Sequence, residues 1–375
     1  MPAEPARRRR PLVVPIVGTR PEAIKMAPVV RALAASPRLD QRLVLTGQHA
    51  GLAGMFGPVD GEELRFDPSG RSAVKLREAL HRLLCGRFSR ERADLVLVHG
   101  DTASAFAGAM AARDCGIPVG HVEAGLRSGD LRQPWPEEGN RMAIDALSDL
   151  LFAPTQIAVR NLEADWRVKG RIVLTGNSGI DALLETARDL PGEAHAAGAR
   201  RLLLVTCHRK ENQGAPLRRV CAALRRLVEA LPLDVALPLH PNRHVRGEVE
   251  ALLSGVPHVR LIEPLPYEEM VRLIARCWLI LTDSGGLQEE GPALGKPVLV
   301  LRNTTERPEG LASGSVALVG TEEEAIVAGV SALFGDPERY AAMAQPSLPF
   351  GDGRAAPRIV AAIESWLAQG GRRAA

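Results

Sequence analysis

Short runs of apolar, mostly β-branched residues recur along the chain. Each is followed by a stretch whose apolar positions repeat every three to four residues. The runs predict strands at Leu12–Val17, Arg42–Thr46, Asp94–His99, Ile117–Val122, Leu150–Ala153 and Arg171–Leu174. A second series follows at Leu202–Thr206, Asp234–Pro238, Val259–Ile262, Trp278–Thr282, Pro297–Leu301 and Val316–Val319. Intervening stretches such as Ala23–Ala35, Val74–Leu84, Thr102–Arg113 and Pro216–Ala230 predict helices. Apolar strands linked through helices point to parallel sheets covered on both faces, an α/β fold. The twelve strands divide into two sheets of about six, with a seam near Gly176–Ser178. Residues 11–176 then form a first domain and 177–355 a second, while a last helix within 356–375 crosses back onto the first. In parallel sheets ligands sit at the carboxyl ends of strands, so two sets of strand-end loops are expected to face a central cleft.

Composition narrows the classes. The 375 residues are 46% hydrophobic, enough for two real cores, but only 3% aromatic, which argues against stacking single-stranded nucleic acid. Much of the net charge of +3 comes from Arg7–Arg10, read as part of a disordered solubilising tail over residues 1–10. No nucleic-acid partner is expected. No apolar stretch approaches the length of a membrane span, and Leu12–Val17, interrupted by Pro15, is too short for a secretory core. The expected location is the cytoplasm. Five cysteines without paired spacing suggest neither a disulfide framework nor a zinc site, and no metal is expected.

The polar residues gather at the predicted strand ends. Asp283-Ser284-Gly285-Gly286 joins a strand to a helix, where free backbone N–H groups and small residues form an anion site. One turn on, Glu289 or Glu290 is placed to accept hydrogen bonds from ribose hydroxyls. Arg20 and Lys25, beside a helix N-terminus, gain nothing from its dipole and are read as facing an external anion, as is Arg307 in the second half. Asp101 and Glu123 stand at two strand ends, and Glu137 follows on the loop of Gly120–Arg141. Carboxylates converging there would repel and raise at least one pKa, which suits acid–base chemistry. His208 is expected to face them from the second half. The alternative for Asp101 is capping of the helix that follows. In the same loop Trp135 is expected to support Glu137 rigidly, and Glu138 and Arg141 to form a structural ion pair.

Several long blocks together resemble the non-hydrolysing UDP-N-acetylglucosamine 2-epimerase family. They are GTRPEAIKMAPVV from Gly18, VHGDT from Val98, GHVEAGLRSGDLRQPWPEEGNR from Gly120, the His-Arg of TCHRKEN from Thr206, and LTDSGGLQEEGPALGKPVLVLRNTTERPEG from Leu281. The resemblance runs collinearly from about Leu12 to the last helix. It implies two Rossmann-like domains in a GT-B-like arrangement, a homodimer, a UDP-sugar substrate and no cofactor. It also implies catalytic-cleft roles for Arg20, Lys25, Asp101, Glu123, Glu137 and His208, and UDP contacts from Ser284, Gly285, Gly286, Glu290 and Arg307. The implied chemistry is interconversion of UDP-GlcNAc and UDP-ManNAc through elimination and re-addition of UDP. A 2-epimerase of a modified UDP-sugar and a GT-B glycosyltransferase are the alternatives. The chain departs from the family pattern at Cys207, at Ala50-Gly51 and up to Arg71, and at Met270.

Overall fold

A computed structural model describes residues 9–131, 135–188, 190, 200–240 and 242–371. Most of the basic tail, and most of the loop expected over Asp189–Arg200, lie outside the described residues. The chain divides into two compact units. One runs to Ala182 and resumes at Gly351, and the other is Leu183–Phe350.

The first unit begins with β1 (Leu12–Val17), α1 (Arg20–Ala34), β2 (Asp40–Gln41), β3 (Leu43–Leu45), β4 (Gly61–Glu63), α2 (Ala73–Phe88) and β5 (Leu95–His99). It continues with α3 (Ala103–Asp114), β6 (Val119–Val122), α4 (Glu137–Leu147), β7 (Leu150–Ala153), α5 (Gln156–Ala164), β8 (Arg171–Leu174) and the start of α6 (Ser178–Ala187). Its sheet has the order β4-β3-β1-β5-β6-β7-β8, with β2 also paired to β1, and every pairing is parallel. That makes eight strands rather than about six. The apolar run at Arg42 is split into β2 and β3, and β4 is an exposed three-residue edge strand with no apolar pattern to announce it.

Alternation along β1 builds both cores. Val13 and Val17 face one side and Leu12, Val14 and Ile16 the other, and all are buried. The side of Leu12 is closed by Leu80 and Leu84 of α2 and the alanine-rich α3.

The second unit contains β9 (Arg201–Thr206), α7 (Ala215–Ala230), β10 (Leu233–Pro238), α8 (Arg243–Leu253), β11 (Val259–Ile262), α9 (Tyr267–Arg276) and β12 (Leu279–Thr282). It ends with α10 (Gly285–Ala293), β13 (Val298–Val300), α11 (Pro308–Ala312), β14 (Val316–Leu318), α12 (Glu323–Gly335) and α13 (Pro337–Met343). Six parallel strands take the order β11-β10-β9-β12-β13-β14. This is the doubly wound order, in which the chain reverses direction across the sheet at the central pair β9 and β12. One face of the sheet carries Leu203 and Val205 against α7, and the other carries Leu204, Ile280 and Val298.

The last helix, α14 (Ala355–Ala368), belongs to the first unit. Its Ile359, Ile363 and Trp366 pack with Met26, Val29 and Val30 of α1. Asp181 accepts hydrogen bonds from the backbone N–H groups of Ala355 and Ala356, at 3.0 and 2.7 Å. This clasp explains why the first unit runs past the expected seam at Gly176–Ser178, into the first turn of α6.

Candidate functional site

In the first unit the chain order reverses between β1 and β5, and the polar groups collect at the carboxyl ends of these strands and of β6. Thr19 caps α1, and Glu22 completes a capping box. The Glu22 carboxylate is 2% exposed and accepts from the N–H groups of Gly18 and Thr19, at 3.1 and 2.7 Å, and from the hydroxyls of Thr19 and Thr102, at 2.8 and 2.6 Å. The chain passes so close at Gly18 that a Cβ there would meet the Ser104 hydroxyl at 1.9 Å. These contacts lock the N-terminus of α1 to that of α3.

Thr102, not Asp101, caps α3, by accepting from the N–H of Ala105 at 3.1 Å. Asp101 is therefore left to pair with Arg141, whose Nε lies 3.0 Å from its Oδ2. Asn140 Nδ2 donates to the Asp101 carbonyl at 2.8 Å, so two residues of α4 hold this turn. Glu123 directly follows β6 with φ +65, a left-handed backbone that is unfavourable for a glutamate and places its side chain at the strand end. Its Oε1 is ion-paired with Lys25 Nζ, and its Oε2 lies 3.7 Å from His99 Nε2. Burial pushes the His99 imidazole down to about 4, with Lys25 and His121 adding to the shift and Glu123 opposing it. His99 is therefore neutral near pH 7. In the sequence His99 is visible only as one of the polar residues at a strand end, and its approach to Glu123 depends on the pairing of β5 with β6.

Glu137 is the first residue of α4, half-buried, rather than a loop residue. Trp135 is 69% exposed and does not pack as the rigid support expected for it. The support comes from Glu138, 1% exposed, which accepts from the N–H groups of Ser128 and Gly129 at 3.0 and 3.3 Å and from Arg141 at 2.9 Å. The mutual repulsion expected between carboxylates is answered by separate cations, Arg141 for Asp101 and Lys25 for Glu123. Lys25 thus faces a carboxylate of its own chain, whereas Arg20 is exposed at the start of α1 with no ion pair to a described residue.

In the second unit the corresponding reversal lies between β9 and β12. The loop after β9 carries His208, and the turn after β12 carries Asp283 and Ser284. Asp283 is fully buried and organises both. Its carboxylate accepts from the N–H groups of His208 and Arg209 and from Asn212 Nδ2, each at 2.9 Å, and His208 Nδ1 lies 3.3 Å away. The sequence had marked this residue only as part of a turn. The Cys207 thiol is pushed up, first by burial and then by Asp283, so it stays protonated and is no nucleophile.

Helix α10 starts at Gly285 with no side-chain cap from Ser284, which leaves its first N–H groups for a ligand. The Arg307 guanidinium lies over this turn, 2.9 Å from where a Cβ on Gly285 would stand, so a side chain there would push it aside. Arg307 Nε donates to Glu289 at 2.8 Å, and a second nitrogen donates to Glu306 at 2.8 Å. Glu289 is thus committed to Arg307, while Glu290 is half-buried near the Tyr267 hydroxyl. The structure thus brings Ser284, Gly285, Gly286 and Arg307 together in one unit, and Lys25, Glu123 and Asp101 together at adjacent strand ends in the other.

Glu22 provides a stability test. Burial outweighs its four hydrogen bonds and raises the carboxyl to about 7 from an ordinary 4.5. The folded chain then keeps a proton that the unfolded chain loses between about pH 4.5 and 7, so this group's contribution falls as pH rises through that window. His99 has the opposite sign, since its contribution is lost as pH falls from 6.5 towards about 4. Glu22→Gln removes only the first effect. Relative to wild type, its urea-unfolding free energy is expected to rise between pH 4.5 and 7.5, by up to about 3 kcal/mol. A flat difference across that range would show that Glu22 is ionised in the folded protein.

The comparisons with known proteins bear on the family and the fold. A family model described as UDP-N-acetylglucosamine 2-epimerase matches residues 31–364. The UDP-N-acetylglucosamine 2-epimerase of Escherichia coli (strain K12) is 40% identical, covering 94% of this chain and 98% of the relative. That of Bacillus subtilis (strain 168) is 43% identical and covers 93% of each. Among solved structures, the UDP-GlcNAc 2-epimerase from Neisseria meningitidis bound to UDP-GlcNAc is 37% identical with a TM-score of 0.85, covering 94% of this chain and all of that one. With two doubly wound parallel sheets and matches that run nearly end to end, the chain belongs to the UDP-N-acetylglucosamine 2-epimerase family.

Proposed function

We propose that the protein reversibly converts UDP-GlcNAc to UDP-ManNAc by anti elimination and re-addition of UDP. A carboxylate removes the C2 proton, the C–H electron pair becomes the C1–C2 double bond, and the C1–O bond breaks to release UDP. The enzyme then holds 2-acetamidoglucal. A UDP oxygen re-adds at C1 while a proton returns to C2 on the other face. The C2 hydrogen is not acidic by itself, so its removal must be assisted by departure of a stabilised diphosphate. Electrons balance without an oxidant or reductant, so the reaction calls for no redox cofactor.

The observation that carries this reading is Glu123, held at φ +65 at the end of β6 with Lys25 as counter-charge and Asp101 on the neighbouring strand end. In this scheme Asp101, Glu123 and Glu137 share the two proton transfers. Arg20 and His208 stabilise the departing phosphate. The uncapped turn Ser284–Gly286 and Arg307 bind the diphosphate, and Glu290 binds the ribose. The product would supply ManNAc-type sugars for cell-surface polysaccharide, made in the cytoplasm by a homodimer.

The test is to incubate the protein with UDP-GlcNAc in deuterated water and follow the sugar by NMR. UDP-ManNAc carrying deuterium at C2 is the expected result. Free ManNAc would mean hydrolysis in place of re-addition, and absence of both exchange and product would overturn the reading.

A further inference from the structure

Away from the strand ends, α2 and α3 place three donors of different kinds around one point. His81 and Cys85 stand one turn apart on the same face of α2, and Asp114 is the last residue of α3. His81 Nε2 is 2.8 Å from Asp114 Oδ2 and 3.6 Å from Cys85 Sγ, and all three donor atoms lie within 4.8 Å of one another. We propose that this cluster is a zinc site, made by His81, Cys85 and Asp114 with solvent in the fourth position.

Three arguments support zinc. An imidazole, a thiol and a carboxylate form a mixed nitrogen, sulfur and oxygen set that suits zinc and excludes the oxygen-seeking calcium and magnesium. Tetrahedral zinc with ordinary bond lengths separates a nitrogen and a sulfur ligand by about 3.5 Å and a nitrogen and an oxygen ligand by about 3.3 Å. The sulfur–nitrogen distance already fits at 3.6 Å. The oxygen must move out by about half an ångström, on a carboxylate whose side chain is 59% exposed. The C-terminus of α3 also presents the negative end of its dipole at Asp114, where a cation is favoured. The packing beneath is fixed, since Leu80 and Leu84 of α2 are buried in one core with Ala109, Ala111 and Ala112 of α3.

Loading forms bonds from the metal to Nε2, Sγ and a carboxylate oxygen. The Cys85 thiol proton passes to solvent, and the proton that His81 Nε2 donates to Asp114 leaves that nitrogen, so the bound imidazole carries only the one on Nδ1. Helix α3 has 12 residues and is therefore ~18 Å long, with Asp101 just before one end and Asp114 at the other. The metal would accordingly tie α2 to α3 and take no part in the reaction. The sequence hides such a site because its third ligand comes from another helix, and the single pair His81 and Cys85 is too sparse to announce a metal.

The test uses the full chain, kept reduced so that Cys85 and its neighbour Cys115 remain thiols, and titrates it with cobalt(II). One equivalent is expected to give tetrahedral visible bands and thiolate-to-cobalt charge-transfer absorption, both bleached by added zinc. Cys85→Ser should remove the charge-transfer band, and His81→Gln should weaken cobalt affinity by roughly tenfold or more, with both variants folded by circular dichroism. Epimerase turnover should be unchanged by zinc or by chelator. No charge-transfer absorption at stoichiometric cobalt, or a band that survives in Cys85→Ser, would overturn the proposal.

Discussion

Glu123→Gln is expected to lower kcat on the order of 10³-fold, the scale of a lost general acid–base group, while UDP affinity stays within about twofold. The substitution preserves shape at a position with φ +65, where the backbone cost is already met by glutamate. It removes the proton acceptor and leaves Lys25 beside a neutral amide. Deuterium incorporation at C2 should vanish with turnover. The same pair of measurements on Asp101→Asn should give the same split, because Arg141 and Asn140 still hold that turn. Full activity in either variant would remove that residue from the mechanism. A parallel loss of UDP binding would instead mean that the substituted carboxylate helps to hold the nucleotide rather than to move a proton.

Asp283→Ala is expected to be the most damaging substitution in the second unit. It deletes a fully buried acceptor and leaves the N–H groups of His208 and Arg209 and the amide of Asn212 without their partner. Leaving buried donors of this kind without an acceptor costs about 1–3 kcal/mol each. Urea unfolding should report that loss, and calorimetry should report loss of UDP binding, since the turn that presents Ser284 and the loop that presents His208 share this one carboxylate. Asp283→Asn keeps one acceptor oxygen but turns an amide NH2 towards N–H donors, so an intermediate loss is expected. Stability and binding both near wild type in Asp283→Ala would show that water replaces the carboxylate.

What the sequence made legible was local. Strands such as β1 and β7 follow directly from apolar runs, and the order of helices from their periodicity. The Ser284-Gly285-Gly286 turn is legible because glycine and a strand-to-helix junction are both visible in a few letters. What escaped was non-local or unpatterned. Lys25 and Glu123 are 98 residues apart and Asp101 and Arg141 are 40 apart, so pairing them needed the fold. The choice between Asp101 and Thr102 as helix cap depends on which side chain turns back onto Ala105. The pairing of Glu289 with Arg307, from a different loop, was equally non-local. Strand β4 has no apolar residue to mark it and exists because Leu43–Leu45 offers it a parallel edge.

The return of α14 to the first unit has a consequence for how the protein is made. The second unit is a continuous stretch, Leu183–Phe350, inserted within the first. On a ribosome it emerges whole while the first unit still lacks the helix that covers Met26, Val29 and Val30. Until synthesis reaches Trp366, that apolar face of α1 stays uncovered, so the first unit, begun earlier, is completed later. A chain stopped before Ala355 would carry a finished second unit and an unfinished first one, with the sticky surface of α1 open to chaperones and to neighbouring chains.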